Sequence, residues 1–285
     1  MTSNLPAKAG QPVLESFFRH FAAFLKPKGI AAVVVVAPLA PFALSTLQAL
    51  GCQIVYSEAT MKHTALHFRP GTSKTDPHDL PGSLLPYIRG TQVFTHAEVS
   101  YELETAWSLP DFDTLGYSLS LSFDLLRSQQ VKGELLMWNP GQGHLVLYLL
   151  RRQGSSISGV SLAGRDALEL AITSRNLRAI GREPRLVSAV PSESGLLQTF
   201  PRGKADFFCA APHPIPRVPW QPEMAEAASR IVRPGGLFFI VTTSTEAHRL
   251  LSELRGWRLM ASRKQLGFRA MLLKNVARSD RRQEG

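Results

Sequence analysis

A short glycine-containing turn between two apolar runs is the part of this chain whose residue types and spacing best suit ligand binding. The first run ends at residue 138, the turn reads Asn-Pro-Gly-Gln-Gly over residues 139–143, and a second apolar run covers residues 145–149. A strand, a tight turn and a helix start in this order are typical of a nucleotide-binding doubly wound sheet. Glycine suits such a turn because it adopts positive φ angles and lets a ligand approach the backbone. The candidate ligand-binding residues are Asn139, Gly141, Gln142 and Gly143, although similar turns also close ordinary strand–helix corners.

A second candidate site follows an apolar run at residues 205–210, where the chain reads Ala211-Pro212-His213-Pro214. Histidine changes its charge near neutral pH, so His213 could act as a base or as a hydrogen-bond acceptor. The prolines fix the backbone and carry no N–H donor, which leaves carbonyl oxygens to accept hydrogen bonds from an amine. A rigid turn without a chemical role explains the same residues. Because the sequence shows no His/Cys cluster with ligand spacing, we expect no metal.

Strand and helix patterns alternate through the second half of the chain and position both loops. This alternation predicts a mostly parallel, three-layer α/β sheet, in which ligands bind at the carboxyl ends of the strands. The last two strands form an antiparallel pair. The predicted strands are 135–138, 157–162, 186–190, 205–211, 237–242, 257–263 and 268–274, and the predicted helices are 119–127, one starting at 145, 166–178, 222–231 and 247–254.

The first third of the chain predicts a smaller α/β piece without a glycine turn of its own. Apolar periodicity indicates a strand–helix–strand unit with a preceding helix, as in a fragment of a nucleotide-binding fold. Residues 1–12 are expected to be disordered, and residues 83–113 receive no assignment. The predicted elements are helix 14–25, strand 31–38, helix 41–50, strand 52–57 and a possible strand 64–69, followed by a loop over 70–82.

Composition describes an ordinary folded protein with enough apolar residues for a sizeable core. The 285 residues are 44% hydrophobic and 19% charged, which fits one large domain or two modest ones. Neither an apolar signal segment nor an apolar run of membrane-spanning length occurs, so we expect no membrane partner. Cys52 and Cys209 lie in apolar runs, as small buried residues do in a reducing compartment, and we therefore expect a cytoplasmic location.

The net charge of +10 favours a polyanionic partner, because neutralising phosphates releases their counterions. A merely solvated basic surface explains the charge almost as well.

The order of elements and four motifs resemble the class I S-adenosylmethionine-dependent methyltransferases. Residues 141–144 stand where that family has its glycine-rich cofactor loop, and residues 167–177 resemble its second helix, with Asn176 near the end. Residues 205–212 resemble the strand that leads to the catalytic loop. The most specific match is the helix, Pro-Gly-Gly turn and strand over residues 228–240. Residues 255–271 resemble the C-terminal strand pair of the ribosomal RNA guanine methyltransferases.

The resemblance implies a fold, a cofactor and a substrate class. The implied fold is a doubly wound, Rossmann-like, mostly parallel seven-stranded sheet with a C-terminal antiparallel hairpin, and a smaller N-terminal α/β domain. The implied domains are a degenerate methyltransferase-like domain over 1–104, the methyltransferase domain over 105–276 and a disordered basic tail over 277–285. The implied activity is methyl transfer from S-adenosylmethionine to an RNA base, guanine of ribosomal RNA. The sequence does not indicate an oligomeric state.

Three expected polar positions of the family are absent. The acidic residue that binds the cofactor ribose would stand at Gly164, and Asp166 is the nearest substitute, although an Asp there is equally explained as a helix N-cap. Before the glycine turn, where the family usually has an acidic residue that holds the loop or the cofactor's amino group, the chain reads Met137-Trp138-Asn139. The catalytic loop has Ala211 where the family has Asn, which leaves His213, Pro212 and Ala211 as the candidate catalytic residues. A non-catalytic RNA-binding or assembly protein on a decayed methyltransferase scaffold is therefore the alternative.

Overall fold

The computed structural model describes residues 2–5, 9–71 and 84–276, which divide into two compact units. The first unit comprises the described residues of 1–90 together with 106–109, and the second those of 91–105 and 110–285. The sequence-based domain boundaries at 104/105 and 276/277 remain predictions. The predicted basic tail over 277–285 lies outside the described residues.

The first unit is a four-stranded sheet with two helices. Its elements are β1 (Thr2–Asn4), α1 (Gly10–Phe24), β2 (Ala31–Val36), α2 (Ala40–Ala49), β3 (Gln53–Ala59) and β4 (His63–Arg69). The sheet order is β1-β2-β4-β3, so β4 lies between the two strands of the predicted strand–helix–strand unit and pairs antiparallel with both. The prediction of disorder over residues 1–12 is wrong where the chain is described. β1 pairs in parallel with β2, and α1 begins at Gly10 because its apolar face packs on that sheet.

A strand pair precedes the second unit's sheet, in the region that the sequence pattern left unassigned. Strands β5 (Ile88–His96) and β6 (Val99–Ala106) form a two-stranded sheet of their own. In the second unit, Phe94, Tyr101 and Leu103 from this pair are buried in a hydrophobic core that also contains residues of the large sheet.

The large sheet of the second unit has seven strands and helices on both faces. Its elements are α3 (Tyr117–Leu126), β7 (Gly133–Trp138), α4 (His144–Gln153), β8 (Ile157–Gly164), α5 (Ala167–Ala179), β9 (Leu186–Ala189), α6 (Leu196–Thr199), β10 (Ala205–Ala210), α7 (Gln221–Ile231), β11 (Val232–Thr243), α8 (Ser244–Glu253), β12 (Trp257–Gln265) and β13 (Phe268–Asn275). One core cluster contains residues of α3, α4 and α5, and another contains residues of α7 and α8. The predicted three-layer α/β architecture is confirmed.

The strand order fixes which loops can meet. The order is β12-β13-β11-β10-β7-β8-β9, and only β13 runs antiparallel, between β11 and β12. Strands β10 and β8 flank β7 in parallel, so the loops after these three strands emerge at the same edge. The predicted seven-stranded sheet with its terminal antiparallel pair is therefore confirmed.

The Pro-Gly-Gly segment predicted as a turn is a bulge within a longer strand. β11 begins at Val232, directly after α7, and its pairing with β10 jumps from Ala205↔Val232 to Phe207↔Leu237. The extra residues on β11 include Gly235, whose φ of +77° suits glycine. The strand thus starts earlier than residue 237, where its apolar pattern begins.

Among the described residues, no helix combines the length and apolar character that crossing a bilayer requires. Within the same ranges, no group of three or more His, Cys, Asp or Glu side chains is placed to hold a metal ion.

Candidate functional site

The turn after β7 has three residues in the left-handed backbone region. Asn139, Gly141 and Gly143 have φ values of +51°, +60° and +95°. Asparagine tolerates this conformation better than most non-glycine residues, which explains a break in the apolar run at that residue. A Cβ atom placed on Gly141 would meet nothing within 4 Å, so the turn faces open space at this point. Gly143 is the N-cap of α4, and its backbone carbonyl accepts a hydrogen bond from the Leu147 N–H.

Three polar side chains on one face of α5 hold this turn in place. Glu169 Oε2 accepts a hydrogen bond from the Gly141 N–H at 3.2 Å, and Thr173 Oγ1 donates to the Gly141 carbonyl at 3.0 Å. Asn176 Nδ2 donates to the Gln142 carbonyl at 3.0 Å. The spacing of 169, 173 and 176 places the three residues on successive turns of one helix face. All three are buried, so the conformation of the turn depends on α5.

Asn139 connects the ends of three parallel strands. Its side-chain Nδ2 donates to the Ala211 carbonyl after β10 at 3.0 Å, and its Oδ1 accepts from the Arg165 N–H after β8 at 3.1 Å. The residue is 2% exposed. The role predicted for Asn139 was cofactor binding, whereas both polar ends of its side chain here bind backbone.

A cavity of about 250 Å³ lies between the glycine turn and the loop after β10, at the carboxyl ends of the strands. Its lining is mostly apolar and includes residues from the ends of β7, β10 and β11 and from α3. Six of the nine predicted site residues line it: Asn139, Gly141, Gln142, Ala211, Pro212 and His213.

The other three predicted site residues do not line the cavity. Gly143 is the start of α4, and Gly164 ends β8 beside Asn139. The Asp166 carboxylate accepts a hydrogen bond from the Leu168 N–H at 2.8 Å and thereby caps α5. This is the N-cap arrangement that an aspartate at a helix start adopts. Their proposed roles in cofactor binding remain predictions.

His213 lies at the edge of the cavity, with its side chain 47% exposed. Burial, with the nearby Arg165 guanidinium, lowers the pKa of His213 below its usual value, so the ring is neutral at pH 7. The Arg165 guanidinium also donates a hydrogen bond to the His213 carbonyl. The Ala211 carbonyl accepts from Asn139. Two of the loop carbonyls that the sequence suggested for an amine therefore already accept a hydrogen bond within the chain.

Glu169 is the site residue that sequence reasoning missed. It lines the cavity, is 2% exposed and has Oε1 3.7 Å from His213 Nε2. Burial raises the pKa of Glu169 to about 7, despite the hydrogen bond from Gly141, which lowers it. A signal was present in the sequence, because Glu169, Thr173 and Asn176 are polar residues at helical spacing on a helix that follows the glycine turn.

His144, the residue after the glycine turn, is held by two hydrogen bonds inside the second unit. Its Nδ1 is 3.0 Å from the Tyr101 hydroxyl, and its Nε2 is 2.8 Å from the Asp111 carbonyl. A carbonyl can only accept, so Nε2 carries the proton and Nδ1 accepts from Tyr101. Burial lowers the pKa of His144 to about 4. The ring is thus neutral and fixed between the strand pair and the loop before α3.

No protein-family model matches the chain, and no curated protein matches its sequence. Among solved structures, the chain is similar to the T. thermophilus 16S rRNA N2 G1207 methyltransferase (RsmC) in complex with AdoMet and guanosine. The TM-score is 0.63 and the identity 17%, over 96% of this chain and 72% of that chain. A SAM-dependent methyltransferase from Aquifex aeolicus gives a TM-score of 0.42 at 14% identity, over 54% and 89% of the two chains.

A third similar structure is the ribosomal protein L11 methylase from Lactobacillus delbrueckii subsp. bulgaricus, with a TM-score of 0.45 and 10% identity over 56% of this chain and 79% of that chain. At 17% identity, the likeness to the T. thermophilus structure establishes the fold. The resemblance predicted from the sequence is confirmed at that level: the chain has the fold of the S-adenosylmethionine-dependent methyltransferases.

Proposed function

We propose that the protein transfers a methyl group from S-adenosylmethionine to an RNA base, guanine of ribosomal RNA. The observation that carries this proposal is the cavity at the carboxyl ends of β7 and β10. It places the glycine turn opposite the loop that contains His213. Open α/β sheets bind their ligands at this edge. Similarity to a methyltransferase of 16S ribosomal RNA supports the substrate class.

The residues around the cavity fit one end of the cofactor better than the other. The open space over Gly141 leaves room for a ligand against the backbone, and a mostly apolar lining with the buried Glu169 carboxylate suits a cationic sulfur compound. Gly164 offers no acid for the ribose, and the Asp166 carboxylate is engaged in capping α5. When bound, S-adenosylmethionine would supply an electrophilic methyl group. The protein would supply orientation and exclusion of water, from which much of the acceleration of such a reaction comes.

In this account His213 orients the acceptor nitrogen. A neutral imidazole has one nitrogen that accepts a hydrogen bond, and the lowered pKa of His213 keeps that nitrogen available at pH 7. By accepting a hydrogen bond from an exocyclic amine, the ring would hold the nitrogen lone pair toward the methyl group. It would then take up the proton that the amine releases on methylation. The loop keeps its shape because Asn139 and Arg165 hold the Ala211 and His213 carbonyls.

Replacing His213 by alanine is expected to lower turnover roughly ten- to a hundredfold or more, because a positioned hydrogen-bonding and acid–base group is lost. Affinity for S-adenosylmethionine should change little, because the ring is assigned to the substrate. The measurement is transfer of labelled methyl groups to unmodified ribosomal RNA. His248→Ala is the control, since that histidine lies on α8 and is not among the residues that line the cavity. Equal turnover of His213→Ala and wild type would contradict the role of His213.

An arginine-lined groove of the second unit supports RNA as the partner. It measures about 980 Å³ and lies between the β5–β6 pair and helices α4 and α5. Four arginines line it: Arg151, Arg175, Arg178 and Arg182. Arg175 and Arg178 pair with Glu104 and Glu183. Pairing on an exposed surface contributes little, so these guanidinium groups remain able to exchange their partners for phosphates.

RNA binding is expected to weaken steeply with salt. With about four phosphates neutralised, affinity should fall on the order of a hundredfold between 50 and 200 mM salt. An Arg151→Ala/Arg182→Ala variant should bind more weakly and with a smaller salt slope. Arg230→Ala, on the opposite face of the sheet, is the matched control. Filter binding of ribosomal RNA across a salt series measures the affinity and the salt slope of each protein. A flat salt dependence, or equal loss in the two variants, would contradict the groove as the RNA site.

A non-catalytic RNA-binding protein on the same scaffold is the second candidate, and the missing polar residues favour it. Ala211 has no side-chain acceptor, and Gly164 has no carboxylate. Transfer of labelled methyl groups separates the two candidates. Methylated RNA supports the enzyme, whereas RNA binding without any transfer, tested over several fragments of unmodified ribosomal RNA, supports the scaffold.

A further inference from the structure

Glu169 is the residue of α5 that lines the cavity at the strand ends, and it brings a buried carboxylate to it. Its side chain is 3% exposed and reaches the cavity from the first turn of the helix. One oxygen, Oε2, accepts the Gly141 N–H. The other oxygen, Oε1, is 3.7 Å from His213 Nε2, which is too long for a hydrogen bond. A buried carboxylate with a single neutral donor is poorly compensated, so a cation placed beside Oε1 would be held strongly.

The groups that surround Glu169 leave this charge largely unmatched. His213 faces it across the cavity and is neutral at pH 7. The Arg165 guanidinium attracts the Glu169 carboxylate, but it also donates a hydrogen bond to the His213 carbonyl. The Asp166 carboxylate repels Glu169. Asp111 lines the cavity as well, and its Oδ1 accepts a hydrogen bond from the Gly116 N–H.

Holding the glycine turn does not require a charge at this position. The neutral groups of Thr173 and Asn176 bind the same turn, and the side-chain oxygen of a glutamine at 169 could also accept a hydrogen bond from the Gly141 N–H. An ionisable group buried in a cavity without a structural need for its charge is a candidate for a ligand contact.

We propose that the Glu169 carboxylate binds the positively charged methionine end of the ligand, and that it takes the place of the acid missing before the glycine turn, at the end of β7. The inference rests on the proposed function, because it assumes a sulfonium ligand. The anionic contact thus lies on the first turn of α5 and not at the end of β7, where the sequence has no acid. Glu169 therefore sets the preference of the cavity for a cationic over a neutral thioether ligand.

The test compares Glu169→Gln with wild type in calorimetric titrations of the full-length protein. The ligands are S-adenosylmethionine and 5′-methylthioadenosine, which has the same adenosine group but no positive charge. Glu169→Gln is expected to weaken S-adenosylmethionine roughly ten- to a hundredfold, the range for losing a hydrogen bond to a charged group, and to leave 5′-methylthioadenosine unchanged. Thr173→Val is the matched control, because it removes a hydrogen bond to the glycine turn without removing a charge. It should affect both ligands equally.

The dependence on pH gives a second readout. The pKa of Glu169 near 7 means that its anionic form increases between pH 6 and 8, so wild-type affinity for S-adenosylmethionine should rise over this interval. Loss of any positive charge on His213 works in the same direction, since a protonated ring would compete for the carboxylate. Glu169→Gln should lose most of the rise, and His213→Ala should retain it.

The outcomes separate the inference from the proposed function. Wild type that binds neither ligand would overturn the proposed function and the inference with it. Wild type that binds S-adenosylmethionine, with Glu169→Gln binding it equally well, would overturn the inference alone. Equal weakening of both ligands by Glu169→Gln would reduce Glu169 to a support of the turn and also overturn it. Circular dichroism shows whether each variant is folded, and the comparison uses variants with the spectrum of wild type.

Discussion

An Asn139→Ala variant is expected to have a free energy of unfolding about 3 kcal/mol lower than wild type, because two half-buried partners are left without hydrogen bonds and alanine is strained at a positive φ. The partners are the Arg165 N–H and the Ala211 carbonyl, which Asn139 connects across the ends of three strands. Its φ of +51° favours asparagine or glycine. Urea denaturation followed by circular dichroism measures the change.

Asn139→Gly separates the two causes, since glycine adopts the backbone conformation without strain but lacks the side-chain amide. We expect it to lie between wild type and Asn139→Ala. If Asn139→Ala and wild type unfolded at the same urea concentration with the same slope, the hydrogen bonds of Asn139 would not hold the strand ends together as described.

Stability should also decrease as the pH rises, because folding buries Glu169. Its pKa is about 7 in the folded protein and 4.5 when unperturbed, so the folded state holds the proton more tightly. This contribution is absent below about pH 4.5, lowers stability as the pH rises to 7, and is constant above that value. The full difference corresponds to about 3 kcal/mol. Glu169→Gln should remove it.

The measurement is the difference in free energy of unfolding between Glu169→Gln and wild type at several pH values from 5 to 8. Subtracting the two proteins cancels the titration of the other groups. We expect the variant to gain stability relative to wild type across this range and to reach a plateau near pH 8. A difference independent of pH would show that Glu169 is not buried as a carboxylate in the folded protein.

Much of the second unit could be predicted from the sequence, because its parallel strands are buried on both faces. Such strands appear as continuous apolar runs, and β7, β8 and β10 were each located from such a run to within two residues at either end. The glycine turn was visible for a related reason, since few residues other than glycine and asparagine adopt its backbone conformation. The cavity beside it follows from the strand order.

The strand pair β5–β6 could not be predicted in this way. Its side chains alternate between buried and exposed only in part, and its polar face carries residues such as Glu102 and Glu104 that are uncommon in strands. The pair forms because Phe94, Tyr101 and Leu103 pack in the core of the second unit, which is a tertiary effect. The local residue pattern therefore gives little indication of these two strands.

Glu169 was not predicted because the candidate residues were those that directly follow a strand, whereas Glu169 lies within a helix. The sequence placed the candidate acid at Asp166, which caps α5, whereas the buried acid lies three residues later on the face toward the turn. Polar residues at helical spacing normally indicate a solvent-exposed face, and only the neighbouring glycine turn gives a reason to expect this face to be buried. The contacts of Thr173 and Asn176 with the same turn show why this face is buried.

Calorimetric titration of the wild-type protein with S-adenosylmethionine tests the central claim most directly, because the proposed methyl transfer and the assigned roles of His213 and Glu169 all require this ligand to bind. The account predicts one binding site per chain. Gly141→Ala, which places a methyl group in the open space over the turn, should reduce that binding. Wild type that shows no heat of binding at millimolar S-adenosylmethionine, both alone and with ribosomal RNA present, would contradict the account.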